Sequence, residues 1–268
     1  MSIFENKIVV ITGGSEGIGK ALVDIFLQQG AKVATCSRNY DKLYSLQQIH
    51  SGKPLLIYTA DVSKEQDCRN FIDTVIQSFG TIDILINNAG VSMRSLVADV
   101  ELDTLRKVMD INFWGTVYCT KFSLPYITQN NGTIVGVSSI AGYRGLPGRS
   151  GYSASKYAVN GWLEALRTEL LNTGTNVMWV CPGFTASNIR NVALNRFGKS
   201  QGESPMDERK MMSSEECAGH ILKAIIKRKR TLVLTLTGKE TVYLNRFFPS
   251  LADKMVRKFF FKNGVLVK

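Results

Sequence analysis

The sequence predicts an α/β fold built on a parallel sheet with helices over both of its faces. Three observations predict it. Short apolar or β-branched runs alternate with segments of helical periodicity from residue 7 to residue 236, the order that crossover units produce. A glycine-rich turn joins the first run to the first helical segment. The polar motifs fall just after the apolar runs, where open α/β sheets bind their ligands. A chain of 268 residues can bury such a core in a single domain.

Residues 7–11 (KIVVI) form the first strand, apolar enough to be covered on both faces. The turn that follows, TGGSEGIG, carries Gly13, Ser15, Gly17, Ile18 and Gly19 and opens a helix that Gly30 closes. Glycines in a strand-turn-helix context let backbone amides and the helix N-terminus approach a pyrophosphate. The spacing is GxxxGxG and not GxGxxG. Residues 31–36 (AKVATC) are the second strand, and Ser37 and Arg38 follow where a ribose-reading residue is expected. An acidic residue there suits the 2′-hydroxyl of NAD and an arginine the 2′-phosphate of NADP. Arg38 therefore predicts NADP(H), a preference that the negative charge of Glu16 weakens.

The third strand, residues 55–60, ends at Asp61 and Val62, with Asp61 placed to meet an adenine edge or to cap the helix of residues 65–79. Residues 82–86 form the next strand, with Asn87, Asn88, Ala89 and Gly90 as a tight exit. Helical periodicity then runs from about Asp99 to Tyr126 and holds Asn112 amid apolar neighbours. Its amide needs partners. It is read as bending the helix, holding water or simply satisfied in the core.

Residues 132–138 (GTIVGVS) read as a buried strand leading into a glycine-containing loop, and Ser139 stands thirteen residues before Tyr152. Tyr152 and Lys156 lie at i and i+4, which stacks phenol and ammonium on one helical face. An unperturbed tyrosine titrates near about 10, and an adjacent cation lowers that value. Tyr152 is therefore expected to exchange a proton near neutral pH, with the Ser139 hydroxyl facing it across a cleft. Residues 177–181 form a further strand, residues 188–212 a polar stretch in the place of a substrate lid, residues 213–229 a helix, and residues 231–236 the last strand.

Composition narrows the function classes. Five cysteines are scattered without CxxC spacing, and the two histidines have no cysteine or acidic cluster beside them, so neither a metal site nor a serine-histidine hydrolase is expected. No apolar run is long enough to span a bilayer. The opening residues MSIFENKIVVITGG lack the pattern of an export signal. A cytoplasmic location is expected, peripheral to a membrane if the tail contacts one. The 11 Lys or Arg of residues 227–268 face only Glu240 and Asp253, which puts +9 of the net +11 in the last 42 residues. One basic end suggests a local contact, and without interleaved base-stacking platforms nucleic acid is not the expected partner.

TGGSEGIG at 12–19, NNAG at 87–90, Asn112 within INFWG, Ser139 with YSASK at 152–156, and Pro182-Gly183 after the strand ending at Cys181 together resemble the short-chain dehydrogenase/reductase family. Within it, the tail and PGFTASNI resemble the dehydrogenase/reductase member 7 branch and its hydroxysteroid and ketosphinganine reductase relatives. The resemblance implies a Rossmann-type, doubly wound, mostly parallel sheet of seven strands. It further implies a tetrad in which Tyr152 is the acid/base, Lys156 lowers its pKa and holds the nicotinamide ribose, Ser139 positions the substrate oxygen and Asn112 anchors a relay water. Pro182, Gly183, Thr185 and Ser187 would meet the nicotinamide end, Thr185 standing where valine or isoleucine is more usual. The implied reaction moves hydride between nicotinamide and a carbonyl or secondary alcohol, of a lipid-like molecule, in a homodimer or homotetramer. A non-catalytic dinucleotide sensor or scaffold is the alternative, which the intact tetrad disfavours.

Residues 1–243 are read as the catalytic domain and residues 244–268 as a basic amphipathic extension. Ser250 is expected to cap a helix with Leu251, Ala252, Met255, Val256 and Phe259 on one face and Lys254, Arg257 and Lys258 on the other. Such a helix suits an anionic membrane surface, the protein body or a partner subunit.

Overall fold

The structure, a computed structural model, describes residues 2–204 and 206–267. Pro205, in the expected lid, and Lys268, in the tail, lie outside the described residues, as does Met1. Strand β1 (Ile8–Thr12) leads into helix α1 (Gly17–Gln28), β2 (Lys32–Ser37), α2 (Tyr40–Ile49), β3 (Leu55–Thr59), α3 (Glu65–Phe79) and β4 (Ile84–Asn87). Then come α4 (Leu102–Met109), α5 (Gly115–Gln129), β5 (Thr133–Val137), α6 (Ser150–Glu169), β6 (Asn176–Cys181), α7 (Ser214–Ile226) and β7 (Thr231–Val233). The chain closes with α8 (Leu236–Phe247), α9 (Pro249–Phe260) and a hairpin of β8 (Phe261–Lys262) and β9 (Val265–Leu266).

The sheet has the order β3-β2-β1-β4-β5-β6-β7, all parallel, the seven-stranded Rossmann-like arrangement that was expected. Strand β1 is central: Val10 stands opposite Ala34 of β2 on one side and Leu85 of β4 on the other. All five of its residues are buried, and successive ones feed opposite layers. Val10 joins Phe71, Ile72, Val75 and Leu163. Val9 and Ile11 join Leu22, Phe26 and Ile221. Side chains as enclosed as Leu22 and Phe26 each stabilise the fold by about 1.5–3 kcal/mol. Between β1 and β4 the order of connections reverses, which leaves a crevice beyond the strand C-termini.

Three elements differ from the sequence expectation. The helix read from Asp99 to Tyr126 is interrupted by a π-helical turn at Asp110–Trp114, because the buried Asn112 amide is drawn sideways to other elements. The last strand stops at Val233, since Thr235 takes a left-handed φ of 62° and its side chain accepts from the Gly238 N–H to start α8. In the tail, Pro249 fills the first helical position and Phe248 the cap, so Ser250 is inside α9. Proline's fixed φ and missing N–H suit that position. Helix α8 runs across residues 243–244, and Arg144 ties the tail to the body through Asn245 at 3.0 Å and Asp253 at 2.5 Å.

Candidate active site

One cleft of about 1000 Å³ crosses the C-terminal edge of the sheet, and every residue marked in the sequence for cofactor or substrate lines it except Asn112. Its floor is the β1-α1 turn. Gly13 takes a φ of 70°, and a side chain on Gly19 would meet the Gly13 carbonyl at 2.1 Å, so only glycines let this loop close against the helix. Thr12 fastens the turn to the β4 exit, its hydroxyl accepting from the Asn88 and Ala89 N–H groups at 3.0 Å. The Asn88 amide returns to the Thr12 and Gly13 carbonyls.

At the far end, Ser37 and Arg38 line the cleft after β2, Arg38 exposed at its rim. Glu16, whose charge would oppose a phosphate there, is paired with Lys42 at 2.7 Å. Lys42 lines the cleft too; the sequence reading missed it, although it sits one helical turn beyond Arg38. Asp61 does not cap α3, whose cap position is Lys64. Its carboxylate accepts from Ser63 instead, and Asp61 and Val62 face the cleft. A cleft with a glycine cradle, a ribose-end arginine and lysine, and a proton-bearing group at its other end fits a nicotinamide dinucleotide.

Strand β5 and helix α6 bring the reacting groups together. Ser139 follows β5, its hydroxyl accepting from the Ala141 N–H at 3.1 Å and hydrogen-bonded to Tyr152. The amine of Lys156 is 5.8 Å from the Tyr152 ring centroid and donates to the Val137 carbonyl at 2.7 Å. Burial pushes Lys156 down to about 8. Burial also pushes the Tyr152 phenol above its ordinary value, against the lowering effects of the Ser139 hydrogen bond and of the Arg149 and Arg190 charges. The i, i+4 expectation of a phenol made acidic by Lys156 is thus not what the protein alone displays. Desolvation, invisible to spacing, outweighs it, and the cations acting on the phenol come from Arg149 and Arg190.

Asn112 is 1% exposed and stands behind the cleft. Its carbonyl oxygen accepts from the Val91 N–H at 2.8 Å, while its amide donates to the Val91 carbonyl and the Ser155 hydroxyl, both at 2.9 Å. It joins the β4 exit to α6. The interrupted helix and the satisfied core amide, two of its sequence readings, are both displayed.

Pro182 and Gly183 after β6 line the cleft together with Thr185 and Ser187. Thr185 is buried and its carbonyl accepts from Arg190 at 2.6 Å. Arg190 in turn forms a bidentate pair with Glu208, holding the carboxyl below its usual range. Beyond them the wall turns apolar, built from Ile140, Leu146, Phe184, Leu244, Val256 and Phe259. Phe259 of α9 stacks on Phe184 with centroids 6.1 Å apart. The apolar stripe of α9 was legible as a stripe; that Ala252, Met255, Val256 and Phe259 of it turn toward the cleft was not.

The short chain dehydrogenase family pattern matches residues 7–196 of this chain. Dehydrogenase/reductase SDR family member 7B of Mus musculus is 33% identical over 255 residues, which cover 92% of this chain and 79% of the relative. The 11-beta-hydroxysteroid dehydrogenase-like 6 protein of Arabidopsis thaliana is 37% identical over 237 residues, 85% of this chain and 69% of the relative. Among solved structures, a short chain dehydrogenase/reductase from Burkholderia phymatum in complex with NAD superposes with a TM-score of 0.83 at 23% identity, covering 94% of this chain and 96% of that one. An alcohol dehydrogenase from Thermococcus sibiricus complexed with 5-hydroxy-NADP gives a TM-score of 0.74, also at 23% identity, over 86% and 96%. These two likenesses bear on the fold.

Proposed function

The chain belongs to the short-chain dehydrogenase/reductase family, and from that premise we propose that it is an NADP(H)-dependent reductase of an apolar, lipid-like carbonyl compound. As a member of the family it is an oxidoreductase that uses a nicotinamide dinucleotide. The finer reading is carried by one observation: a single cleft runs from Arg38 and Lys42 at the ribose end, past Tyr152, to a wall of Phe184, Leu244, Val256 and Phe259. Two cations at the rim suit a 2′-phosphate, and an apolar wall suits an apolar substrate. The hydroxysteroid dehydrogenase name of one relative supports the same class.

When bound, the cofactor supplies or accepts a hydride at the substrate carbon. The protein's part is the proton and its placing. Tyr152, with its phenol above the ordinary value, keeps its proton at neutral pH and is set to donate it to a carbonyl oxygen. Ser139, hydrogen-bonded to that phenol, holds the oxygen beside it. Lys156 fixes the end of β5 through Val137 and, lining the cleft, would hold the ribose. Asn112 braces the β4 exit against α6. An arginine at the ribose end favours the reducing direction through the cofactor it selects.

The test is NADPH or NADH oxidation with a panel of ketosteroids, 3-ketosphinganine and 3-oxoacyl thioesters. The reading expects turnover of at least one, with NADPH used better than NADH. Equal use of the two cofactors contradicts the NADP(H) assignment, and turnover of small polar carbonyls alone contradicts the apolar one.

A further inference from the structure

The tail is basic, yet one of its two acids is bonded back to the body. Residues 227–268 hold 11 Lys or Arg against Glu240 and Asp253, and the Asp253 carboxylate accepts at 2.5 Å from the guanidinium of Arg144. Arg144 belongs to the loop of residues 139–149, between Ser139 and the helix that carries Tyr152. The same guanidinium donates at 3.0 Å to the side-chain oxygen of Asn245 in α8. The Asn245 amide donates in return to the Tyr143 carbonyl at 2.8 Å, which also accepts from the Tyr157 hydroxyl of α6. One arginine therefore joins α8, α9 and the loop. Its planar fork can hold two acceptors at once, and bonds to a carboxylate are the stronger kind. The Arg144 side chain is 16% exposed against 68% for Asp253, so the tie is enclosed on the body side.

Arg144, Asn245 and Asp253 do not line the cleft, but their neighbours in sequence do. Leu244 precedes Asn245, Ala252 precedes Asp253, and Leu146 lies two residues past Arg144. The tie thus stands just outside the apolar wall. Packing there is close: a Cβ on Gly238 of α8 would stand 2.9 Å from the Ile140 side chain, so α8 rests directly on the loop. Helices α8 and α9 follow the last strand and add nothing to the sheet, so lateral contacts are what hold them over the cleft. We propose that Arg144 is a positioning residue for substrate selection: by tying Asn245 and Asp253 it keeps Leu244, Ala252 and Val256 closed on the apolar part of the substrate. The inference rests on the reading of the cleft as the site of an apolar carbonyl compound. Loosening the wall removes apolar contact that substrate and transition state share, which weakens binding and leaves the chemical step alone. The dinucleotide end, built on the β1-α1 turn and the start of α2, is untouched.

The experiment compares wild type, Arg144→Met, Asp253→Asn and the double variant in NADPH-driven reduction of a ketosteroid, with NADPH binding titrated alongside. Arg144→Met is expected to raise the KM roughly tenfold, the effect of losing a charge-assisted bond, while kcat and the Kd for NADPH stay within about twofold of wild type. Asp253→Asn, at a mostly exposed carboxylate, raises the KM about threefold. The double variant is no worse than Arg144→Met alone, because both changes break one tie. Trypsin, which cuts after Arg246, Lys254 and Arg257, is expected to cleave the tail of Arg144→Met faster than that of wild type, a readout that needs no substrate. An unchanged KM in Arg144→Met, a kcat that falls with it, effects that add in the double variant, or equal trypsin rates overturn the inference. Asp253→Asn carries the same test if Arg144→Met fails to bind NADPH, and an unchanged KM and trypsin rate there are then decisive against it. A wild type that reduces no apolar carbonyl compound sinks the reading of the cleft, a separate outcome in which the trypsin comparison decides the tie by itself.

Discussion

Arg38 is the side chain on which cofactor choice turns. It stands at the cleft rim beside a Glu16 whose charge is occupied by Lys42, so the local field at the ribose end is positive. Charge-assisted hydrogen bonds are worth about 1.5–3 kcal/mol, and Arg38→Asp is expected to cut the preference for NADPH over NADH roughly 10–100-fold, read as the ratio of kcat/KM values. An unchanged ratio removes Arg38 from that role. Lys156 carries a different cost. Its amine is buried and pushed down to about 8 from 10.5, so between those pH values the unfolded chain holds a proton that the native one has released. Stability attributable to this residue therefore rises with pH across that window and is lowest below it. Lys156→Met is expected to be the more stable protein at pH 7, by on the order of 2 kcal/mol, with the advantage closing above pH 10. Denaturant unfolding across that range checks it; an advantage independent of pH refutes it.

At the scale of elements, α8 and α9 separate inner from outer faces. The inner face closes the cleft with Leu244, Val256 and Phe260. The outer one leaves Tyr243, Phe247, Phe248 and Leu251 exposed, among Arg246, Lys254, Arg257 and Lys258. Among the described residues no helix is long and apolar enough to cross a membrane. An apolar patch ringed by cations suits the surface of an anionic bilayer, and we propose that this face rests there. Co-sedimentation with phosphatidylserine vesicles is expected for the full chain, to weaken at raised salt, and to be lost in Phe247→Ser/Leu251→Ser. Equal binding to neutral vesicles, or no effect of that pair, dismisses the proposal. The same elements show what a sequence can and cannot disclose. The stripe of α9 follows from its 3.6-residue period, but a period does not name what the stripe faces. The π-turn at Asp110–Trp114 is invisible to periodicity, because its cause is the reach of Asn112 to Val91 and Ser155, 21 and 43 residues away.

Over the whole molecule, local signals and sheet order agree. The strand-turn-helix start, the runs of 82–86 and 132–138 and the crossover rhythm were legible because parallel strands buried on both faces read as plain apolar runs. The cleft residues were legible because they cluster at the strand C-termini, the one edge such a sheet leaves open. What stayed hidden was electrostatic: how burial sets the Tyr152 phenol, and that Arg149 and Arg190 bear on it from segments with no fixed spacing to one another. The central claim is that the phenol of Tyr152 exchanges the proton in nicotinamide-dependent carbonyl reduction. The measurement that tests it most directly is NADPH oxidation by Tyr152→Phe beside a titration of NADPH binding. A fall of roughly 10²–10⁴-fold in kcat with NADPH binding retained is the predicted result. Turnover close to wild type with the same substrate would contradict it.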